Sequence, residues 1–258
     1  MSTYRSDCSR CAGLCCVALS FTRSADFPVD KAAGDPCRHL GDDFGCGIHD
    51  RLRDRGYAGC TVFECFGAGQ QVTQVTFGGT DWRTEPASRQ EMFDVFGVMR
   101  QLHEMLALLE EAASRGTAAD LAEVTGLVSA ASAGTPEQVL ATDVPALRAV
   151  VGNALRQVSA EVRRPAGASL SGNDLVGKDL RRRDLRRADL RGALLMAADL
   201  RHVDLTDADL LGADLRDAAV VGADLSRALF LGQPQVNAMR GDAETKLPQG
   251  LARPVHWA

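Results

Sequence analysis

The chain has 258 residues, 45% of them hydrophobic but only 5% aromatic, and a net charge of -5. That length suits one large or two modest domains, and so few aromatics point to a regular interior of small residues rather than a large mixed core. The mild charge argues neither for a nucleic-acid binder nor for a strongly acidic mimic. The opening MSTYRSDCSRC lacks the apolar core of a secretory signal, and no run reaches the roughly 18 apolar residues of a spanning helix, so a soluble cytoplasmic protein is expected.

Residues 1–80 hold all eight cysteines: Cys8, Cys11, Cys15, Cys16, Cys37, Cys46, Cys60 and Cys65. In a reducing compartment this even number points to metal binding or redox chemistry rather than to disulfides. Thiolates are soft ligands for zinc and for iron–sulfur clusters. All eight are candidate metal ligands, enough for two Cys₄ sites or for one cluster with spare thiols. His39 and His49 are further possible ligands. The adjacent Cys15 and Cys16 have diverging side chains, so they share one centre only on an irregular backbone; otherwise they serve different centres, or one of them packs. Hydrophobic periodicity is weak here, so a metal would have to replace a missing core. The segment QVTQVTFGG (Gln71–Gly79) alternates weakly and is expected to be a strand or hairpin arm.

Residues 86–163 read as helices. Ser88 and Glu91 have capping-box spacing. Met92, Phe93, Phe96, Met99, Leu102, Leu106 and Leu109 then recur at three and four, giving one apolar face on a helix that ends near Gly116. A second helix is expected over Ala118–Ala131. Thr135 and Pro136 open a short helical turn as N-cap and first helical residue. Asp143 caps a last helix from Pro145 to about Val162, with Leu147, Val150, Val151, Leu155 and Val158 on its apolar face.

From Ala168 the period becomes five. Leucine occupies 170, 175, 180, 185, 190, 195, 200, 205, 210, 215 and 225, with Val220 and Phe230 completing thirteen positions in register. Alanine recurs two residues before the large residue, and aspartate lies between them. Five fits neither a helix nor a plain strand. It fits a solenoid whose coils stack at strand spacing with leucine and alanine inside. Asn173, Lys178, Arg183 and Val203 replace the alanine, so the first coil is expected to be irregular or to turn its cations to the surface. The repeats end at Gly232, and residues 233–258 are expected to cap the open end.

The units ADLRG (188–192), ADLLG (208–212) and ADLRD (213–217) resemble the pentapeptide-repeat family. That resemblance implies a right-handed quadrilateral β-helix with four repeats per coil, about three coils here, used as an interaction scaffold. The elements CRHL (37–40), GCGIH (45–49) and CTVFEC (60–65), after the opening cysteine cluster, resemble the CxxCxxCC, or YkgJ-like, family of zinc- or iron-chelating proteins. The chain departs from it by one extra residue between Cys11 and Cys15 and by the longer RLRDRGYAG at 51–59.

The expected architecture is therefore multidomain. A small Cys-rich, metal-held N-terminal domain (1–80) precedes a central α-helical segment (86–163). A C-terminal right-handed quadrilateral β-helix (168–232) follows, closed by a cap (233–258). The expected function is a protein-interaction module carrying a zinc or iron–sulfur site, with a protein partner. An alternative is an iron–sulfur or metal-dependent enzyme that modifies a peptide or protein. Neither a Gly-rich phosphate loop nor a nucleophile grouping is evident. A DNA mimic acting on gyrase needs an acidic solenoid, whereas 168–230 carries 10 Lys/Arg and 11 Asp/Glu. The basic run RRRDLRRADLR (181–191) has no interleaved aromatics for base stacking, so it reads as a solvated face paired with the aspartates.

Overall fold

The computed structural model describes residues 4–116 and 120–257. They form two compact units, one made of residues 4–110 with 120–154, the other of 111–116 with 155–257.

In the first unit the cysteine segment is mostly turns, with three short helices: α1 (Leu14–Ala18), α2 (Ala58–Thr61) and α3 (Ala68–Gln70). The expected strand at 71–79 is instead a π-helical continuation of α3 over Gln71–Thr76. Its alternation is incidental: Val72 is buried while Val75 is 64% exposed. Thr73 holds the coil by donating to Gly69 O and accepting from the Ala12 amide. The helices α4 (Arg89–Ser114), α5 (Ala122–Ser132), α6 (Pro136–Leu140) and α7 (Val144–Val162) follow. The start expected for α5, at 118–119, lies outside the described residues.

The cysteine segment completes its core with α4. Ala12, Leu14, Val17, Ala68 and Val72 share one apolar cluster with Met92, Phe93, Phe96 and Met99. The predicted α4 face is thus buried as expected, and the segment does not depend on metal for all of its apolar packing. Two details of the helices differ. The Ser88 hydroxyl donates back to Glu85 O in a 3₁₀ turn, so it does not cap α4. Val150 is 41% exposed; Val144, Ala154 and Ser159 join Val151, Leu155 and Val158 on the buried side of α7. Thr135 and Gln138 form a reciprocal capping box at α6, and Asp143 accepts from the Ala146 amide at the start of α7.

The second unit is the solenoid. Single parallel bridges join residues 20 apart, such as Asp179 to Asp199 and Asp204 to Asp224, so four repeats make one coil. No extended strand occurs among the described residues. Each five-residue side spends most of its length turning, and one residue per side is left for pairing. At most corners the residue two after the leucine has positive φ, as at Gly192 and Gly212 and also at Arg187 and His202. The turn is closed by the next repeat's amide donating to the leucine carbonyl, as from Ala193 to Leu190. Glycine fits this left-handed position without strain.

Leu185, Leu190, Leu195, Leu200, Leu205 and Leu210 are fully buried, stacked over alanines. Asn173, Lys178 and Arg183 are exposed, and Val203 is buried. Among the described residues the step from 184 to 204 carries no bridge, next to Arg183 in the place of a small residue. The aspartates have a local task that periodicity did not disclose. Nine of them, including Asp174, Asp199 and Asp224, accept a hydrogen bond from the amide two residues on, pinning each corner. After Gly232 the chain forms α8 (Gln233–Ala238) and continues the stack through bridges from Ala219 to Arg240 and Asp224 to Lys246. Val236, Met239 and Trp257 pack against the leucine interior.

Candidate metal centre

All eight cysteines are free thiols. They fall in different surroundings. Cys8, Cys11, Cys15 and Cys65 line one cavity of about 20 Å³, floored by Gly69. The cysteines of this group reach it from a 3₁₀ turn (Cys8–Arg10), from α1 and from the approach to α3. Cys11, Cys15 and Cys65 pack against the apolar cluster shared with α4. Ser6 and Cys65 share a hydrogen bond of 2.9 Å between side chains.

Of the other four, Cys16, Cys37 and Cys46 are linked through the backbone. The Cys37 amide donates to Cys16 O at 2.9 Å, and Cys46 bridges Leu40. The Cys60 amide donates to Tyr57 O, and the Tyr57 ring meets the His39 ring edge-on at 5.1 Å. Cys46 packs against a second apolar cluster of Ile48, Leu52 and Tyr57. The Cys60 thiol is within electrostatic reach of Cys16, Cys37 and Cys46.

Cys15 and Cys16 sit between the groups, their sulfurs 3.9 Å apart. Both lie on α1, where successive side chains point about 100° apart. Gly13, at φ 66, starts α1 in the left-handed region, and the Leu40 side chain packs where its Cβ would stand.

Electrostatics separate the thiols as well. Sharing a hydrogen bond with Cys16 and losing solvation push the Cys15 thiol well up, while Cys16, as acceptor of that bond, is pulled down. Desolvation raises Cys8 to about 11 and Cys60 to about 12, with neighbouring thiols adding to both. Burial likewise raises Cys11 and Cys46. Thiols of this kind lose their protons only when a cation takes their place.

Lys31 was not foreseen. It is 9% exposed, and its ammonium donates to the carbonyls of Val17, Ala32 and Asp35. It lies within electrostatic reach of Cys37 and Cys16. Nothing in its sequence surroundings marks it. Of the two histidines, His39 packs its ring edge-on against Tyr57, and His49 is exposed at the start of a 3₁₀ turn.

Among the described residues, no three Cys, His, Asp or Glu side chains are already arranged around one point as metal ligands. The donor set still fits a soft cation: four cysteines line one void with room for one water-sized occupant. Gly69 is part of that fit, since a Cβ there would stand 2.5 Å from the Cys11 sulfur. Gly69→Ala is therefore expected to push the Cys11 thiol outward. Its alkylation by iodoacetamide should speed up several-fold with far-UV circular dichroism unchanged. An unaltered rate would place the thiol elsewhere.

In sequence, the family model for pentapeptide repeats matches eight copies, over residues 166–201 and 193–230. The chain is 49% identical to the protein YybG of Bacillus subtilis (strain 168) over 261 residues, covering 97% of this chain and 94% of that one. Among solved structures, it resembles a pentapeptide repeat protein from the thylakoid lumen of Arabidopsis thaliana. That match has 28% identity, a TM-score of 0.25, and covers 34% of this chain and 56% of that one. It also resembles the pentapeptide repeat protein Rfr23 of the cyanobacterium Cyanothece 51142. There the identity is 27%, the TM-score 0.23, and the coverage 31% of this chain and 50% of that one. The chain thus spans about half the length of each of these two solved proteins.

Proposed function

The chain belongs to the family of Bacillus subtilis YybG and carries pentapeptide repeats, and on that premise we propose that it is a protein-interaction module with a thiolate metal centre in its first unit. The solenoid supplies a rigid surface, and a zinc ion or an iron–sulfur centre supplies a fixed cysteine-rich surface beside α4. A non-catalytic tetrathiolate is saturated by its ligands, which suits a structural role.

The observation that carries the metal reading is the convergence of Cys8, Cys11 and Cys15 with Cys65, 50 or more residues later, on one small cavity. Cysteines kept only for packing have no reason to gather around a void. The solenoid surface favours a protein partner over nucleic acid. Arg181, Arg186, Arg201 and Arg216 each pair with the aspartate two residues earlier. Their charge is already matched within the coil, so little is left to displace counterions from a phosphate backbone. No helix among the described residues is long and apolar enough to cross a membrane.

The test is elemental analysis with a visible spectrum on the anaerobically purified full chain, repeated on Cys11→Ser. Zinc or iron in stoichiometric amount, reduced by Cys11→Ser, is expected. Metal absent from the wild type, or untouched by the substitution, would overturn the reading.

A further inference from the structure

We infer that the eight cysteines form two separate tetrathiolate sites, Cys8, Cys11, Cys15 and Cys65 in one and Cys16, Cys37, Cys46 and Cys60 in the other, each taking one soft divalent cation such as Zn²⁺ or Fe²⁺. This rests on the metal-centre reading and goes further by dividing the ligands.

Three features together place seven of the cysteines, and Cys60 joins the second group through Tyr57, whose carbonyl accepts its amide and whose ring lies in the cluster that Cys46 packs against. The first is the cavity: its cysteines are Cys8, Cys11, Cys15 and Cys65. The second is packing, with Cys11, Cys15 and Cys65 against the α4 cluster and Cys46 against the Ile48, Leu52 and Tyr57 cluster. The third is the backbone. Cys11 bonds back to Cys8, whereas Cys16 is bonded by Cys37, and Leu40, bridged to Cys46, donates to Cys37 O. Helix α1 is the branch. Cys15 lines the cavity and packs on the α4 cluster, whereas Cys16 does neither and its carbonyl accepts from Cys37, so the two consecutive residues, their sulfurs 3.9 Å apart, stand at the boundary of the two sites.

The size of the first cavity, about 20 Å³, suits a single ion. Four irons with four sulfides need several times that room. Each cation entering as M²⁺ displaces one proton from each of four thiols, leaving a centre of net charge -2. Lys31 stands on the side of the second site. Its ammonium has three neutral carbonyl acceptors, so its positive charge remains to offset that anion. A buried cation of this kind is costly without anions nearby; Asp35 is one, and a thiolate centre supplies another.

The experiment uses the full-length wild-type chain, stripped of metal under reducing anaerobic conditions and titrated with Zn²⁺ alone. Native mass spectrometry follows stoichiometry. At one equivalent, iodoacetamide labelling with peptide mapping reports which cysteines are protected. Two equivalents are expected at saturation. At one equivalent, protection should come in the stated groups of four, with Cys15 and Cys16 protected in different populations. Cobalt titration of Cys60→Ser and of Cys65→Ser should each lose one of two equivalents and keep the other site's charge-transfer band. A variant that loses both bands counts only if its far-UV spectrum is native, and then it overturns the division. Saturation at one equivalent, a protected set mixing the two groups, or iron with matching sulfide also overturns the division while leaving a metal centre in place. No binding at all overturns the metal-centre reading itself.

Discussion

Leu200→Ala is expected to destabilise the solenoid by about 2–5 kcal/mol, the range for a fully buried leucine truncated in a core that cannot collapse. Leu200 is completely buried, and coils repeat every 20 residues, so it lies between Leu180 below and Val220 above. Backbone pairing on both sides holds the coil open: the Leu200 amide donates to Ala219 O, and the Asp199 amide to Lys178 O. The cavity left by three lost carbons therefore has no neighbour free to move into it. Leu175→Ala is the contrast. Leu175 is only half-buried at the irregular start of the repeats, and its loss should cost clearly less. Urea unfolding followed by circular dichroism distinguishes the two. Equal losses would mean that the first coil is as tightly packed as the middle one.

The second large effect is expected at Asp209. Its side chain has no exposed area and faces Arg191, itself 13% exposed, at 3.3 Å. Its Oδ1 also accepts from the Leu211 amide at 2.9 Å. Ser159 on α7 bonds to Asp209 and accepts from Arg163, which pairs with Asp189. Asp209→Ala strands a buried guanidinium and is expected to cost about 3–5 kcal/mol. Asp209→Asn keeps an oxygen for the Leu211 amide and should cost less. If the two variants melt together, the charge on Asp209 contributes little and the corner bond is the whole effect.

The pH response separates Asp209 from the other aspartates. Desolvation holds its folded carboxyl above the usual range, so as pH falls toward the folded value the folded state takes the proton first and gains stability. Asp199 and Asp214 are held low, chiefly by the Arg201 and Arg216 side chains. Their contribution is present above the ordinary carboxylate pKa and is lost as pH falls through the lower folded values. In Asp209→Asn the gain on mild acidification should disappear, and the acid loss should remain.

The two regions of the chain differ in how far their sequence discloses them. In the solenoid a five-residue unit repeats, so each leucine predicts the environment of the next, and Leu185 through Leu210 are all buried. The aspartates were visible as a ladder, but their bond to the amide two residues on is a property of the turn. In the cysteine segment no unit repeats. The alternation of QVTQVT suggested a strand, while Gly69 O and the Ala12 amide, both claimed by Thr73, decided for a coil. The Thr135–Gln138 capping box was legible because both partners lie within one turn; Ser88 was misread because Glu85 O, just upstream, competes for its hydroxyl.

Local and periodic order were thus written in the residues themselves: the coil of five, the apolar face of α4, and the gathering of eight cysteines in the first 65 residues. Only the tertiary structure decided that the cysteine segment completes its core with α4, that Cys65 joins Cys8, Cys11 and Cys15 while the Cys16 carbonyl accepts from the Cys37 amide, and that Lys31 stands beside them. The reason is distance along the chain. A repeat or a helix cap is settled by residues a few positions apart, whereas a thiol's neighbours depend on where loops closed by dozens of residues come to rest.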